Sequence, residues 1–105
     1  MVMKSTDGGR SWFPIMNGLP YAQEYYEILV DRFDPRTLYL ASQLRGVLRS
    51  VDSGASWHPW NEGLSEPTPG TNGNNVTRCL VLSCDGKTLY FGTAGSGVFS
   101  RKVRP

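Results

Sequence analysis

The chain has almost no histidine, little cysteine and no long apolar run. His58 is the one histidine among 105 residues, and the cysteines are two, Cys79 and Cys84. That is too thin a ligand set for a four-coordinate metal centre, so no metal is expected; nor is any other cofactor, since no cofactor-binding motif is found. The cysteines lie five positions apart, in one predicted strand and its turn. Odd spacing in a strand sends side chains to opposite faces, so no intrachain disulfide is expected, and both thiols are read as buried or half-buried. No apolar run approaches the roughly 18 residues of a membrane-spanning helix, which excludes a helical span. The N-terminus lacks the basic and apolar regions of a signal peptide, and the compartment stays open. Neither sign of charge dominates, with 11 Lys and Arg against 9 Asp and Glu, a net +2 and a pI near 8.7. Arg32, Arg36, Arg45, Arg49 and Arg78 are scattered, and only Arg101-Lys102-Val103-Arg104 clusters, where a solvated chain end is expected. Without a dense basic stripe or a recognisable module, nucleic acid is not an expected partner. Gly92-Thr93-Ala94-Gly95-Ser96-Gly97 is glycine-rich but lacks the lysine and following helix of a phosphate loop.

What the chain does have is a copy of itself. Ser5-Thr6-Asp7-Gly8-Gly9-Arg10-Ser11-Trp12 recurs 45 residues on as Ser50-Val51-Asp52-Ser53-Gly54-Ala55-Ser56-Trp57, both reading S-x-D-x-G-x-S-W. Val2 repeats as Val47, Pro14 as Pro59, and Gly18-Leu19 as Gly63-Leu64. A second register, offset by 51, pairs Leu29-Val30 with Leu80-Val81 and Asp34 with Asp85. It also pairs Thr37-Leu38-Tyr39-Leu40 with Thr88-Leu89-Tyr90-Phe91, and Gly46-Val47-Leu48 with Gly97-Val98-Phe99. The six extra residues fall between Leu64 and Leu80, in a Pro-, Gly- and Asn-rich stretch that reads as an enlarged loop. Within the complete copy, residues 27–30, 37–42, 47–50 and 56–60 are short apolar runs rich in Val, Leu, Tyr and Trp. None is long enough for a helix. Four strands in a period of 45 to 51 residues is the unit of a β-propeller blade.

The motif resembles the Asp-box of BNR-type repeats, found in sialidases, sortilin-like receptors, xyloglucanase-type glycoside hydrolases and a photosystem-assembly factor. The family pattern S/T-x-D-x-G-x-x-W/F is met by both copies, and Asp34-Pro35-Arg36-Thr37-Leu38-Tyr39 resembles the family's D-P-x-T-L-Y flank. The resemblance spans nearly the whole chain. It implies an all-β fold of four-stranded antiparallel blades with the box in the hairpin between strands three and four. Residues 1–20 would be strands three and four of one blade, at 2–5 and 12–16. Residues 21–65 would be a complete blade, and 66–105 strands one to three of another, at 77–83, 89–93 and 98–102. Position 103, where a third box Asp would fall, is Val103.

The box residues have a structural rationale. Gly9 and Gly54 permit backbone angles closed to other residues. The Asp7 and Asp52 carboxylates, helped by the Ser5 and Ser50 hydroxyls, tie the turn by accepting backbone N–H bonds. Trp12 and Trp57 are expected to bury their rings between strands. Two aspartates suggest the carboxylate pair of a glycosidase, but equivalent positions in successive blades would lie on the outer rim, apart from each other. The run Cys79-Leu80-Val81-Leu82 suits a strand covered on both faces.

For function, sialidases need an arginine triad, a nucleophilic tyrosine with a glutamate, and an acidic proton donor. Tyr21, Glu24, Tyr25, Tyr26 and Glu27 offer tyrosine–glutamate neighbours, but three arginines on inner strands are not available. Asp31 and Asp34, a pair such as xyloglucanase-type enzymes use, fall at the turn between the first two strands. The resemblance places ligands on the face carrying residues 17–24, 61–75, 43–46 and 94–97. There Tyr21, Glu24, Tyr25, Gln43, Arg45, Asn72, Asn74 and Asn75 could meet glycan hydroxyls or peptide groups. The expectation is a non-catalytic scaffold or binding module for a glycan or protein ligand. The alternatives are a fragment of an extracellular glycoside hydrolase, since family members are often exported, and a protein-assembly factor. A little over two blades leaves faces exposed, so a homo-oligomeric ring or the rest of a larger propeller is expected to cover them. Three copies would give about six blades and four about eight.

Overall fold

The computed structural model describes residues 1–19, 23–43, 46–60, 77–93 and 97–104. Among these residues there is no helix, and nine strands form three antiparallel sheets. The first sheet pairs β1 (Met3–Lys4) with β2 (Phe13–Pro14). The second is a meander of β3 (Tyr25–Val30), β4 (Leu38–Ser42), β5 (Val47–Ser50) and β6 (His58–Pro59). The third is β7 (Thr77–Leu82), β8 (Thr88–Thr93) and β9 (Val98–Lys102). β2 and β6 are shorter than the sequence suggests. Each ends on a proline, Pro14 or Pro59, which has no N–H to extend a ladder and is tolerated at an edge.

The sheets pack face to face, and strict alternation decides what each contact contains. In β4, Leu38 and Leu40 point into one cluster with Val2, Ile15, Met16, Leu19, Leu48 and Trp57. Tyr39 and Ala41 point the other way, into a cluster with Val47, Trp60, Leu80, Leu89 and Phe91. All five residues of β4 are buried, so β4 is the strand covered on both faces. The run Cys79-Leu80-Val81-Leu82 is covered on one face only. Leu80 and Leu82 are buried, but Val81 is 59% exposed and both cysteines are exposed. The reason is positional, because no described residue lies over the outer face of the third sheet. Trp60 holds the second cluster together, with the Tyr39 ring edge-on at 5.1 Å and the Arg101 guanidinium 3.9 Å from its ring centroid.

The second and third sheets are copies of one another, but not in the register that letter matching suggests. Tyr39 pairs with Leu29, and its counterpart Tyr90 pairs with Val81. Leu40 pairs with Ile28, and its counterpart Phe91 with Leu80. In β3 and β7 the true offset is therefore 52, and Leu29 corresponds to Val81, not to Leu80. The β3–β4 turn is one residue longer than its copy. Asp31 N donates to Thr37 O in the first and Ser83 N to Thr88 O in the second. Because side chains alternate, that single residue decides which face Leu80 joins. Asp34 and Asp85 consequently are not equivalent. Asp34 accepts from the Thr37 hydroxyl, whereas Asp85 accepts from the Ser83 hydroxyl and Lys87 N–H.

The basic C-terminal cluster is not a solvated end. Arg101 lies against Trp60, and Arg104 pairs with Asp31 and donates to Gly86 O. The Asp31 side chain is wholly buried and also accepts from Phe33 N–H. A buried carboxylate needs such a partner because an unpaired charge in the interior is strongly destabilising. The cluster thus clamps the β3–β4 turn to the β7–β8 turn, aided by Arg32, which donates to Ser83 O and Cys84 O.

Candidate functional site

The two S-x-D-x-G-x-S-W turns connect β1 to β2 and β5 to β6, and the bonds made by their serine and aspartate side chains match one for one. In the first, Ser5 Oγ donates to Asp7 Oδ1 at 2.8 Å and accepts from Gly9 N at 2.9 Å. Asp7 also receives Ser11 N at 2.9 Å and Ser11 Oγ at 2.6 Å. In the second, Ser50 Oγ donates to Asp52 at 2.7 Å and accepts from Gly54 N at 2.8 Å. Ser56 N and Ser56 Oγ reach Asp52 at 2.9 and 2.6 Å. Gly9 and Gly54 have φ of 94° and 91°, the left-handed region that makes glycine the fitting residue there. Ser53 takes a similar angle, φ 63°, one position earlier.

These bonds hold both carboxylates ionised. The Ser11 hydroxyl and N–H, then Ser5, lower Asp7 to about 2, and the Ser56 and Ser50 hydroxyls lower Asp52 to about 2. Neither group suits general acid catalysis near neutrality, where a raised value is needed. Ser56 and His58 add a Ser–His–Asp set in name only. Ser56 gives its proton directly to Asp52, and His58 Nε2 is 3.5 Å from Ser56 Oγ, so the hydroxyl proton is committed to the carboxylate and not to the imidazole.

The two tryptophans part company. Trp57 is 2% exposed and donates Nε1–H to Ile15 O of the first sheet at 2.9 Å. Its backbone N–H reaches Asn17 O at 3.0 Å, and the Asn17 amide reaches Ala55 O at 3.1 Å. Gly18 lies so close that a Cβ there would sit 2.3 Å from Trp57 O. Trp12 is 59% exposed, contrary to the expectation of a buried ring, and its Nε1–H folds back to Gly9 O at 3.1 Å. The same letter has a different fate because a preceding sheet supplies the Trp57 acceptor, and no described sheet precedes Trp12.

The candidate ligand residues lie at the other end of the strands. The motif turns follow β1 and β5, beside the Val30–Leu38 end of the second sheet, while Tyr25 pairs with Ser42 at the far end. There Glu24 N donates to the Gln43 side-chain oxygen and Gln43 N to Glu24 O, both at 3.0 Å. Glu24 is exposed, and Tyr25 is half-buried against the first apolar cluster. The structure brings these three together. Tyr21, Arg45, Asn72, Asn74 and Asn75 lie outside the described residues.

One contact at this end escaped sequence reasoning. β3 and β7 each carry a bulge, at Tyr26 and Arg78, one extra residue that has no opposite number in the partner strand. The Arg78 guanidinium stands 4.8 Å from the Tyr26 ring centroid, and Glu27 Oε1 accepts from Leu80 N at 3.2 Å. Bulges have no letter signature, so nothing in the sequence flagged the pair. Asp31, half of the aspartate pair of the hydrolase reading, is sealed behind Arg104 and Phe33 N–H, while Asp34 stays partly exposed beside Arg36. Among the described residues no group of three or more His, Cys, Asp or Glu side chains could hold a metal ion, and no helix is long and apolar enough to cross a membrane. No protein-family model matches the chain, and no curated protein matches it.

Proposed function

We propose that the chain forms successive blades of an Asp-box β-propeller and works as a non-catalytic scaffold or binding module, with a glycan or peptide ligand at the Glu24–Tyr25–Gln43 end. The observation that carries this reading is the use made of the acidic groups. Asp7 and Asp52 are held by their own turns, and Asp31 is held by Arg104. The stacking of antiparallel sheets supports the blade assignment, with first strands β3 and β7 touching through Tyr26 and Arg78. The Gln43 N–H and side-chain oxygen, both bonded to the Glu24 backbone, hold an exposed carboxylate beside a half-buried phenol. That arrangement suits hydroxyl and amide recognition more than bond cleavage.

The test is binding alongside turnover. A glycan array and a peptide library should each be screened, and Glu24→Gln and Tyr25→Phe should weaken the ligand found by at least roughly tenfold while leaving the circular dichroism unchanged. Hydrolysis of sialosides or xyloglucan by the chain, abolished by Asp34→Asn, would replace this reading with the hydrolase one.

A further inference from the structure

Two apolar surfaces of the stack are uncovered among the described residues, and each is a structural copy of one that is covered. On the third sheet, Val81, Tyr90 and Val98 hold the ladder positions that Leu29, Tyr39 and Val47 hold on the second. The latter three pack into the contact between the second and third sheets. Val81, Tyr90 and Val98 face outward. On the opposite side, Ile28 and Val30 hold the positions of Leu80 and Leu82. Leu80 and Leu82 are buried, whereas Ile28 and Val30 are 46% and 52% exposed. The β1–β2 hairpin covers the Leu48 and Trp57 half of that side. Beside it, between β1 and β3, runs a groove in two parts of about 280 and 340 Å³, floored by Leu40 and Leu38.

We infer that the outer face of β7–β8 in one copy docks into the groove between β1 and β3 of a second copy. The contact repeats between chains the interface that the second and third sheets make within one. It rests on that internal interface and not on the ligand reading above. Both surfaces are apolar, and the incoming face presents Val81 and Tyr90 where Leu29 and Tyr39 already fit against an equivalent floor. The contact joins two different patches, so it is heterologous and either closes into a ring or extends. β9 of the incoming copy and β1 of the receiving copy claim the same neighbouring place. β1 is held by two ladder pairs and β9 by five, so β1 yields.

Native mass spectrometry and sedimentation of the full chain at tens of micromolar test this. The wild-type chain should run as an assembly of several copies. Val81→Asp and Ile28→Asp, both at exposed positions, should each run as a monomer with unchanged circular dichroism. Mixed, they should form one-to-one dimers, because Val81→Asp keeps an intact groove and Ile28→Asp an intact outer face. Tyr90→Ser and Val30→Ser form a milder second pair with the same expected outcome if either aspartate variant fails to fold. A folded wild-type monomer, or mixed variants that stay apart, would overturn the inference. So would an Ile28→Asp chain that still associates, since outer faces would then be pairing with each other.

Discussion

Arg78 stacks on Tyr26 across two sheets, with its guanidinium 4.8 Å from the ring centroid, and the two residues are the same position in consecutive repeats. Each is the unpaired residue of a bulge. A bulge re-aims its side chain out of the ladder, which lets two first strands from different sheets touch laterally. The contact therefore reports on how the sheets are joined and not on either sheet alone.

Its strength is measurable by a double-mutant cycle of Tyr26→Leu and Arg78→Met in urea unfolding. Cation–π pairs near the surface contribute about 0.5–1 kcal/mol, and a coupling of that size is expected. Additive single effects, within about 0.3 kcal/mol, would mean that the rings and charges are neighbours without interacting.

The tryptophans give a sharper contrast. Trp57→Ala removes a fully buried ring together with the bond to Ile15 O, and should cost about 3–5 kcal/mol. Trp12→Ala, in dilute solution, should cost no more than about 1 kcal/mol, since an exposed ring leaves no cavity. Chemical denaturation of both variants checks the ratio. Equal losses would mean that Trp12 finds a buried site in solution.

Much of the architecture was legible in the letters. In the complete copy, short apolar runs and turn residues mark where β3 to β6 fall, with β6 shorter than its run, and the bonding of Asp7 and Asp52 follows from the local chemistry of the motif's Ser, Asp and Gly. Local chemistry is what a sequence writes most directly. Three features depended on something else. The one-residue slip between β3 and β7 was masked because Leu29-Val30 and Leu80-Val81 look alike in either register, and only the cross-strand partner distinguishes them. The exposure of Trp12 and of Val81 depends on which sheet stands next to them, a fact about neighbours that identical residues cannot carry. Arg104 was read as a chain end because its partner, Asp31, lies 73 positions away. At the candidate ligand end, Glu24, Tyr25 and Gln43 are named from the resemblance alone, and the hydrogen bonds that join Glu24 to Gln43 have no signature in the letters.

Acid titration separates the roles of the two motif aspartates from ordinary surface carboxylates. Asp7 and Asp52 are lowered from 3.8 to about 2 in the folded chain, chiefly by the serine hydroxyls of their own turns. A group depressed on folding binds its proton more readily when unfolded, so stability rises with pH across the gap between the two values. The contribution is present above the unfolded value, near 4, and is lost as the pH falls toward about 2. Asp85, lowered by the Ser83 hydroxyl and the Lys87 N–H, acts in the same direction. Thermal midpoints measured from pH 7 down to pH 2 should stay level with respect to these groups until about pH 4 and then drop. In the double variant Asp7→Asn, Asp52→Asn the midpoint at neutral pH should be lower, and the drop below about pH 4 should shrink, because two of the groups that produce it are gone. Ser56→Ala should act through Asp52 in the same sense, since it removes the first of the bonds that lower it. A double variant with the full wild-type slope between about pH 4 and 2 would show that these carboxylates are not held by their turns in solution.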